Sequence, residues 1–127
     1  MTENEIARHI VDAAYKIHTA LGPGLLESVY ETTLTFELEK RGLRVVRQQA
    51  IPVVYEGVHM DDGFRADLIV EGKVIVEIKS IDALARVHFK QVMTYLRLAD
   101  KRLGLLINFN EELIKDGITR IANHLRE

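Results

Sequence analysis

The run Leu103-Gly104-Leu105-Leu106-Ile107-Asn108-Phe109 constrains this chain more than any other segment. Its apolar residues follow one another instead of alternating, so a strand built from them is buried on both faces. Such a strand belongs inside a sheet that other elements cover. Val74-Ile75-Val76-Glu77-Ile78-Lys79 begins the same way and then carries two charges at alternate positions. Charges set into a strand otherwise fit for the interior need a physical reason, and the search for function starts there.

The surrounding pattern supplies the covering elements. Over residues 5–20, Ile6, Ile10, Ala13, Ala14 and Ile17 have the three-and-four spacing of an amphipathic helix. Gly22-Pro23-Gly24 breaks it, and a second helix is expected over residues 25–41, with Leu26, Tyr30, Leu34 and Leu38 one turn apart. Gly42 stands where a glycine closes a helix. Residues 44–49 and 51–55 read as two strands, with Pro52 marking an edge or a bulge. Asp61-Asp62-Gly63 reads as a turn. Strands over 64–70 and 74–79 follow, joined through Glu71-Gly72-Lys73, then a helix over 84–98, the apolar strand, and a short C-terminal helix over 117–125. The order α-α-β-β-β-β-α-β-α predicts an α/β fold, one mixed sheet flanked by helices, with residues 1–127 as a single domain.

Glu77 and Lys79, two apart, project from the same face of their strand. If the turn uses the three residues Glu71-Gly72-Lys73, Val70 pairs with Val74 and Asp67 falls opposite Glu77 on that face. A two-residue turn would slip the register and split the two acids between faces. In the three-residue register the carboxylates stand about 5 Å apart, a repulsive placement that asks for a cation between them. Mg²⁺ fits: it takes hard oxygen ligands and is held by one or two carboxylates plus substrate phosphate. Lys79 beside them could orient an attacking water and stabilise charge on a phosphate. The plain alternative is that Asp67 begins a strand and that Glu77 with Lys79 is a solvated ion pair worth under ~1 kcal/mol.

Taken together, these segments resemble the PD-(D/E)XK nuclease superfamily, with its restriction-endonuclease-like core, and more narrowly the GxxExxY family. The family motif stands here as Gly24-Leu25-Leu26-Glu27-Ser28-Val29-Tyr30. The likeness continues through Asp67, Glu77-Ile78-Lys79, Gln91-Val92-Met93-Thr94-Tyr95-Leu96, Gly104-Leu105-Leu106-Ile107-Asn108-Phe109 and Asp116-Gly117-Ile118-Thr119-Arg120. Asn110, where the pattern has a glycine, is a departure confined to a turn. The resemblance implies that Asp67 and Glu77, with the backbone carbonyl of Ile78, hold Mg²⁺ or Mn²⁺. It implies that Lys79 is catalytic, that Glu27 is a further acid of the site, and that Gln91 contacts it. On the residues alone, Glu27 is equally an acid favoured by a helix N-terminus. Gln91 is equally a polar residue on the solvent side, one turn from Tyr95. Tyr30 shares a helix face with Glu27 but suits a core aromatic with a satisfied hydroxyl. Arg120 suits either a phosphate contact or a surface pair.

Composition bounds the remainder. The absence of cysteine excludes disulfide scaffolds, zinc–thiolate sites, iron–sulfur clusters and cysteine nucleophiles. His9, His18, His59, His88 and His124 have no paired spacing of a zinc site. No apolar run is long enough to span a membrane, and the start MTENEIARHI is amphipathic rather than a signal, so a cytoplasmic location is expected. With 17 basic against 19 acidic residues, the net charge of −2 gives no general pull toward nucleic acid. Two readings follow: a metal-dependent nuclease cutting DNA or RNA, or a catalytically silent nuclease-fold module acting with a partner protein or nucleic acid. Analogy with small nucleases that cut two strands adds the expectation of a homodimer.

Overall fold

The computed structural model of the protein describes residues 1–126. Helices α1 (Glu3–Leu21) and α2 (Glu27–Lys40) precede three strands, β1 (Val45–Tyr55), β2 (Val58–Val70) and β3 (Val74–Lys79). Helix α3 (Arg86–Ala99), strand β4 (Leu103–Asn108), a single 3₁₀ turn (Ile114–Gly117) and strand β5 (Ile118–Ala122) complete the chain. The strands lie in the order β1-β2-β3-β4-β5; β3 and β4 are parallel and the other pairs antiparallel. This is the α/β architecture with one mixed sheet flanked by helices that the sequence predicts.

The two runs that opened the argument lie side by side at the centre. Alternate side chains of β3 enter two cores. Val74, Val76 and Ile78 pack with α1 and α2 (Ile6, Ile10, Tyr30, Leu34), while Ile75 packs with Val92 and Leu96 of α3. Leu105 and Ile107 join the first cluster and Leu106 the second, so β4 is buried on both faces. Glu77 and Lys79, by alternation, project on the α3 side. Helix α2 closes as expected at Gly42: Gly42 N–H donates to the Glu39 carbonyl and Leu43 N–H to that of Leu38, the paired bonds of a Schellman ending.

Three expectations are corrected. Residues 44–49 and 51–55 form one strand rather than two; the register against β2 shifts between Ile51 and Val53, which places Pro52 at an irregularity on an edge strand. Asp61-Asp62-Gly63 is not the turn. The chain reverses at Glu56-Gly57, where both φ values are positive (48° and 80°), and the three residues continue β2. Gly63 is needed for close approach: a Cβ there would lie 2.2 Å from Val53 Cγ2. Finally, residues 117–125 are not a helix but contain β5, because β4 leaves an open edge whose backbone groups β5 pairs. The β-branched Ile118, Thr119 and Ile121 suit that role.

Candidate active site

The β2–β3 turn settles the register on which the site depends. Glu71 and Gly72 both take positive φ (53° and 65°), Lys73 N–H donates to the Val70 carbonyl, and Val70 pairs with Val74. Leu68 pairs with Val76, so the next position brings Asp67 opposite Glu77. The acids are in direct contact with each other's strands. Asp67 N–H donates to Glu77 Oε1 at 3.1 Å, and Ile78 N–H donates to Asp67 Oδ2 at 2.8 Å. The Asp67 carboxylate thus takes the place of a backbone ladder bond where β2 begins to leave β3.

That exchange aims the backbone of Ile78. The Lys79 carbonyl accepts from Phe109 N–H on the β4 side. Successive residues of a strand turn their backbone groups to opposite edges, so the carbonyl of Ile78 faces β2 on the same edge as Asp67. The Ile78 carbonyl therefore lies on the strand edge that faces Asp67, whose own N–H bonds Glu77.

The electrostatics set the two acids against each other. Glu77 is buried, 7% exposed. Burial, and then the charge of Asp67, push its carboxyl up to about 8, against bonds from Asp67 N–H and the charge of Lys79 that favour the ionised form. Tyr95 on α3 stacks on Phe64 (centroids 3.9 Å apart). Its phenol is pushed up by burial and then by the charges of Glu77 and Asp67, which places it within their field. A cation between the two acids would reverse the repulsion that now opposes ionising Glu77.

The other expected residues are spread around this centre. Glu27 opens α2 beside the C-terminal end of β3, where the N–H of Ser80, next after Lys79, donates to its Oε2 at 3.4 Å. It lines an open pocket of about 600 Å³ with Ser28, Ser80, Ile81, Asp82 and Asn110. Asn108 fixes that rim: its side chain is fully buried and bonds both Ile81 N–H (3.1 Å) and the Ile81 carbonyl (3.0 Å). Asn110 also donates to the Ile81 carbonyl. Gln91 is exposed on α3, one turn before Tyr95. Tyr30 is fully buried, stacked on Phe109, and its hydroxyl donates to the Gly22 carbonyl at 2.6 Å while accepting from Leu25 N–H. Arg120, on β5, donates to Asn4 Oδ1 of α1, away from the carboxylate pair. Among the described residues, no three acidic or imidazole side chains are placed to hold one ion.

One residue that the sequence did not single out reaches Asp67, and a second is joined to Asp67 through it. Gln48 of β1 donates through Nε2 to Asp67 Oδ1 at 3.0 Å and to Glu31 Oε1 at 2.5 Å. Glu31 lies one helical turn after Glu27, a spacing that could have marked it. Nothing in the sequence marks Gln48, because its left-handed backbone (φ 50°) is set by tertiary structure.

A five-stranded mixed sheet with helices on both faces, carrying an Asp opposite a Glu-x-Lys strand end, defines a restriction-endonuclease-like protein. The chain belongs to the PD-(D/E)XK nuclease superfamily, whose family model matches residues 4–121. No curated protein and no solved structure matches the chain significantly. Among the described residues, no helix is long and apolar enough to cross a membrane.

Proposed function

We propose that the protein is a metal-dependent nuclease hydrolysing phosphodiester bonds of DNA or RNA, with Asp67 and Glu77 holding Mg²⁺ or Mn²⁺. The observation that carries this reading is the juxtaposition of two acids across the β2–β3 hairpin: the Asp67 N–H donates to the Glu77 carboxylate, which is buried and pushed to about 8, and the Asp67 carboxylate accepts from Ile78 N–H. Burying such a pair without a cation is unfavourable, and an all-oxygen donor set suits a hard divalent ion. When bound, that ion supplies Lewis-acid stabilisation of phosphate charge and lowers the pKa of water. Asp67 and Glu77 hold it, assisted by the Ile78 carbonyl. Lys79, on the Glu77 face, orients the attacking water and offsets charge on the phosphate as the P–O bond to water forms and the ester P–O bond breaks. Glu27 and Gln91 would meet substrate at the rims of the site. The narrower kinship with the GxxExxY family is supported by the ordered motifs, including Glu27 at the pocket mouth.

The test is cleavage of single-stranded and duplex DNA and RNA with Mg²⁺ or Mn²⁺. Asp67→Ala and Lys79→Ala should each lower the rate at least ~10²-fold. Activity that survives both substitutions refutes the assignment. One observation favours a second reading, a catalytically silent module acting through a partner: among the described residues a third acid does not join the pair. Calorimetry with Mn²⁺ separates the two, since a folded protein that binds no Mn²⁺ is the silent module. We also propose a single domain and a homodimer; sedimentation of active protein as a monomer would remove the dimer.

A further inference from the structure

The strand β1 carries a left-handed residue in its middle. Gln48 has φ 50°, a conformation that costs a non-glycine residue on the order of 1 kcal/mol and in a strand breaks the ladder. The β1–β2 pairing steps from Arg47–Leu68 to Gln49–Ala66 and skips Gln48, although the register on either side is the same. The interruption is therefore a local distortion, distinct from the register shift at Pro52. Arg65 holds it by donating to the Gln48 carbonyl at 3.1 Å. Its effect is to re-aim the side chain so that one amide nitrogen bonds two carboxylates, Asp67 Oδ1 and Glu31 Oε1.

The remaining oxygens are held as well. Glu31 Oε2 accepts from Arg47 Nε (3.1 Å) and Nη2 (2.9 Å), and Asp67 Oδ2 accepts from Ile78 N–H. A chain of bonds thus runs from Arg47 through Glu31 and Gln48 to Asp67 and on to β3. It fixes the rotation of the Asp67 carboxylate. It also ties Arg47 to Glu31 and Thr32 of α2.

We infer that Gln48 is a positioning residue for Asp67, with Glu31 as its anchor, and that the strained backbone at Gln48 is retained for this purpose. The inference rests on the nuclease reading of Asp67 and adds two residues to the site. Partners that fix the ligands of a metal typically carry 10–100-fold of its affinity.

Gln48→Gly separates positioning from support of the fold, because glycine adopts φ 50° without strain but has no amide to give. Mn²⁺ titration by calorimetry, thermal melting in EDTA and steady-state cleavage are measured on wild type, Gln48→Gly and Glu31→Gln. The expected result for Gln48→Gly is a melting temperature at or above wild type, Mn²⁺ binding weakened ~10–100-fold, and kcat lowered with KM for nucleic acid unchanged. Glu31→Gln should weaken Mn²⁺ binding in the same direction, and the double variant should be no worse than Gln48→Gly alone, since both act through one bridge. Wild-type Mn²⁺ affinity and kcat in Gln48→Gly overturn the positioning role while the nuclease reading stands. A wild-type protein that binds no Mn²⁺ overturns both.

Discussion

Glu77 gives the metal-free protein an inverted dependence of stability on pH. Its carboxyl titrates near 4.5 when unfolded and is pushed up to about 8 when folded. Between those values the folded state binds the extra proton, so the stabilisation is fully present below about pH 4.5 and is lost as pH rises through 8. For this group alone the loss is roughly 3 kcal/mol from about pH 5.5 to pH 8. That is a large share of the ~5–15 kcal/mol expected for a whole domain. With a urea slope near ~2 kcal/mol per molar, the unfolding midpoint should fall by roughly 1.5 M across that interval. The other shifted groups do not act in this window. The Glu5 carboxyl, exposed in the α1 capping box with Thr2, is lowered by its bond to the Thr2 backbone, so its contribution is lost only as pH falls below the usual carboxylate range. The Tyr95 phenol is raised from an already alkaline value.

The perturbation is Glu77→Gln. The amide keeps an oxygen to accept from Asp67 N–H and offers hydrogens toward the Asp67 carboxylate, while its charge is gone. Urea unfolding in EDTA at about pH 5.5 and pH 8 should show a falling midpoint for wild type and a flat one for the variant, which becomes the more stable protein at pH 8. Saturating Mn²⁺ should restore wild type at pH 8, do little at pH 5.5, and leave the variant unchanged. A wild-type midpoint that does not fall, or a variant that falls in parallel, refutes the claim that burial and Asp67 oppose the ionisation of Glu77.

Three further outcomes follow from the packing around the site. Tyr30→Phe keeps the stack on Phe109 but leaves the Gly22 carbonyl and Leu25 N–H without the hydroxyl, and should cost about 1–2 kcal/mol by chemical denaturation. Gly63→Ala drives a Cβ into Val53 and should cost about 1–3 kcal/mol; adding Val53→Ala removes the nearest methyl but keeps the Val53 Cβ at 2.9 Å, and should recover part of it, which a double-mutant cycle reads directly. Asn108→Ala releases both bonds to Ile81 and should cost about 2–3 kcal/mol, with faster hydrogen exchange at Ile81 as the local readout.

What the sequence made legible, and what it did not, divides along the range of the interactions. The central strands were readable from period-two alternation, and the Asp67–Glu77 pairing only on condition of the three-residue turn at Glu71-Gly72-Lys73, the register that the Val70–Val74 pairing has. The C-terminal strand was not, because 117–125 acquires its state from the edge of β4, a partner no window of sequence contains. Asp61-Asp62-Gly63 misled for the same reason. Gly63 makes room for Val53 from the paired strand, a requirement unrelated to turning. Gln48 is the extreme case, a residue of ordinary composition whose importance lies wholly in a backbone angle. On the proposed reading, the sheet reconciles a net charge of −2 with a site for an anionic substrate. Gln48 and the Ile78 N–H direct their hydrogens at Asp67, and Arg47 bonds Glu31, while burial and Asp67 oppose the ionisation of Glu77 more than the Asp67 N–H and Lys79 favour it. On the proposed nuclease reading, the acidity that seemed to argue against nucleic acid is, at this point in the fold, what would draw a cation that a phosphodiester could share.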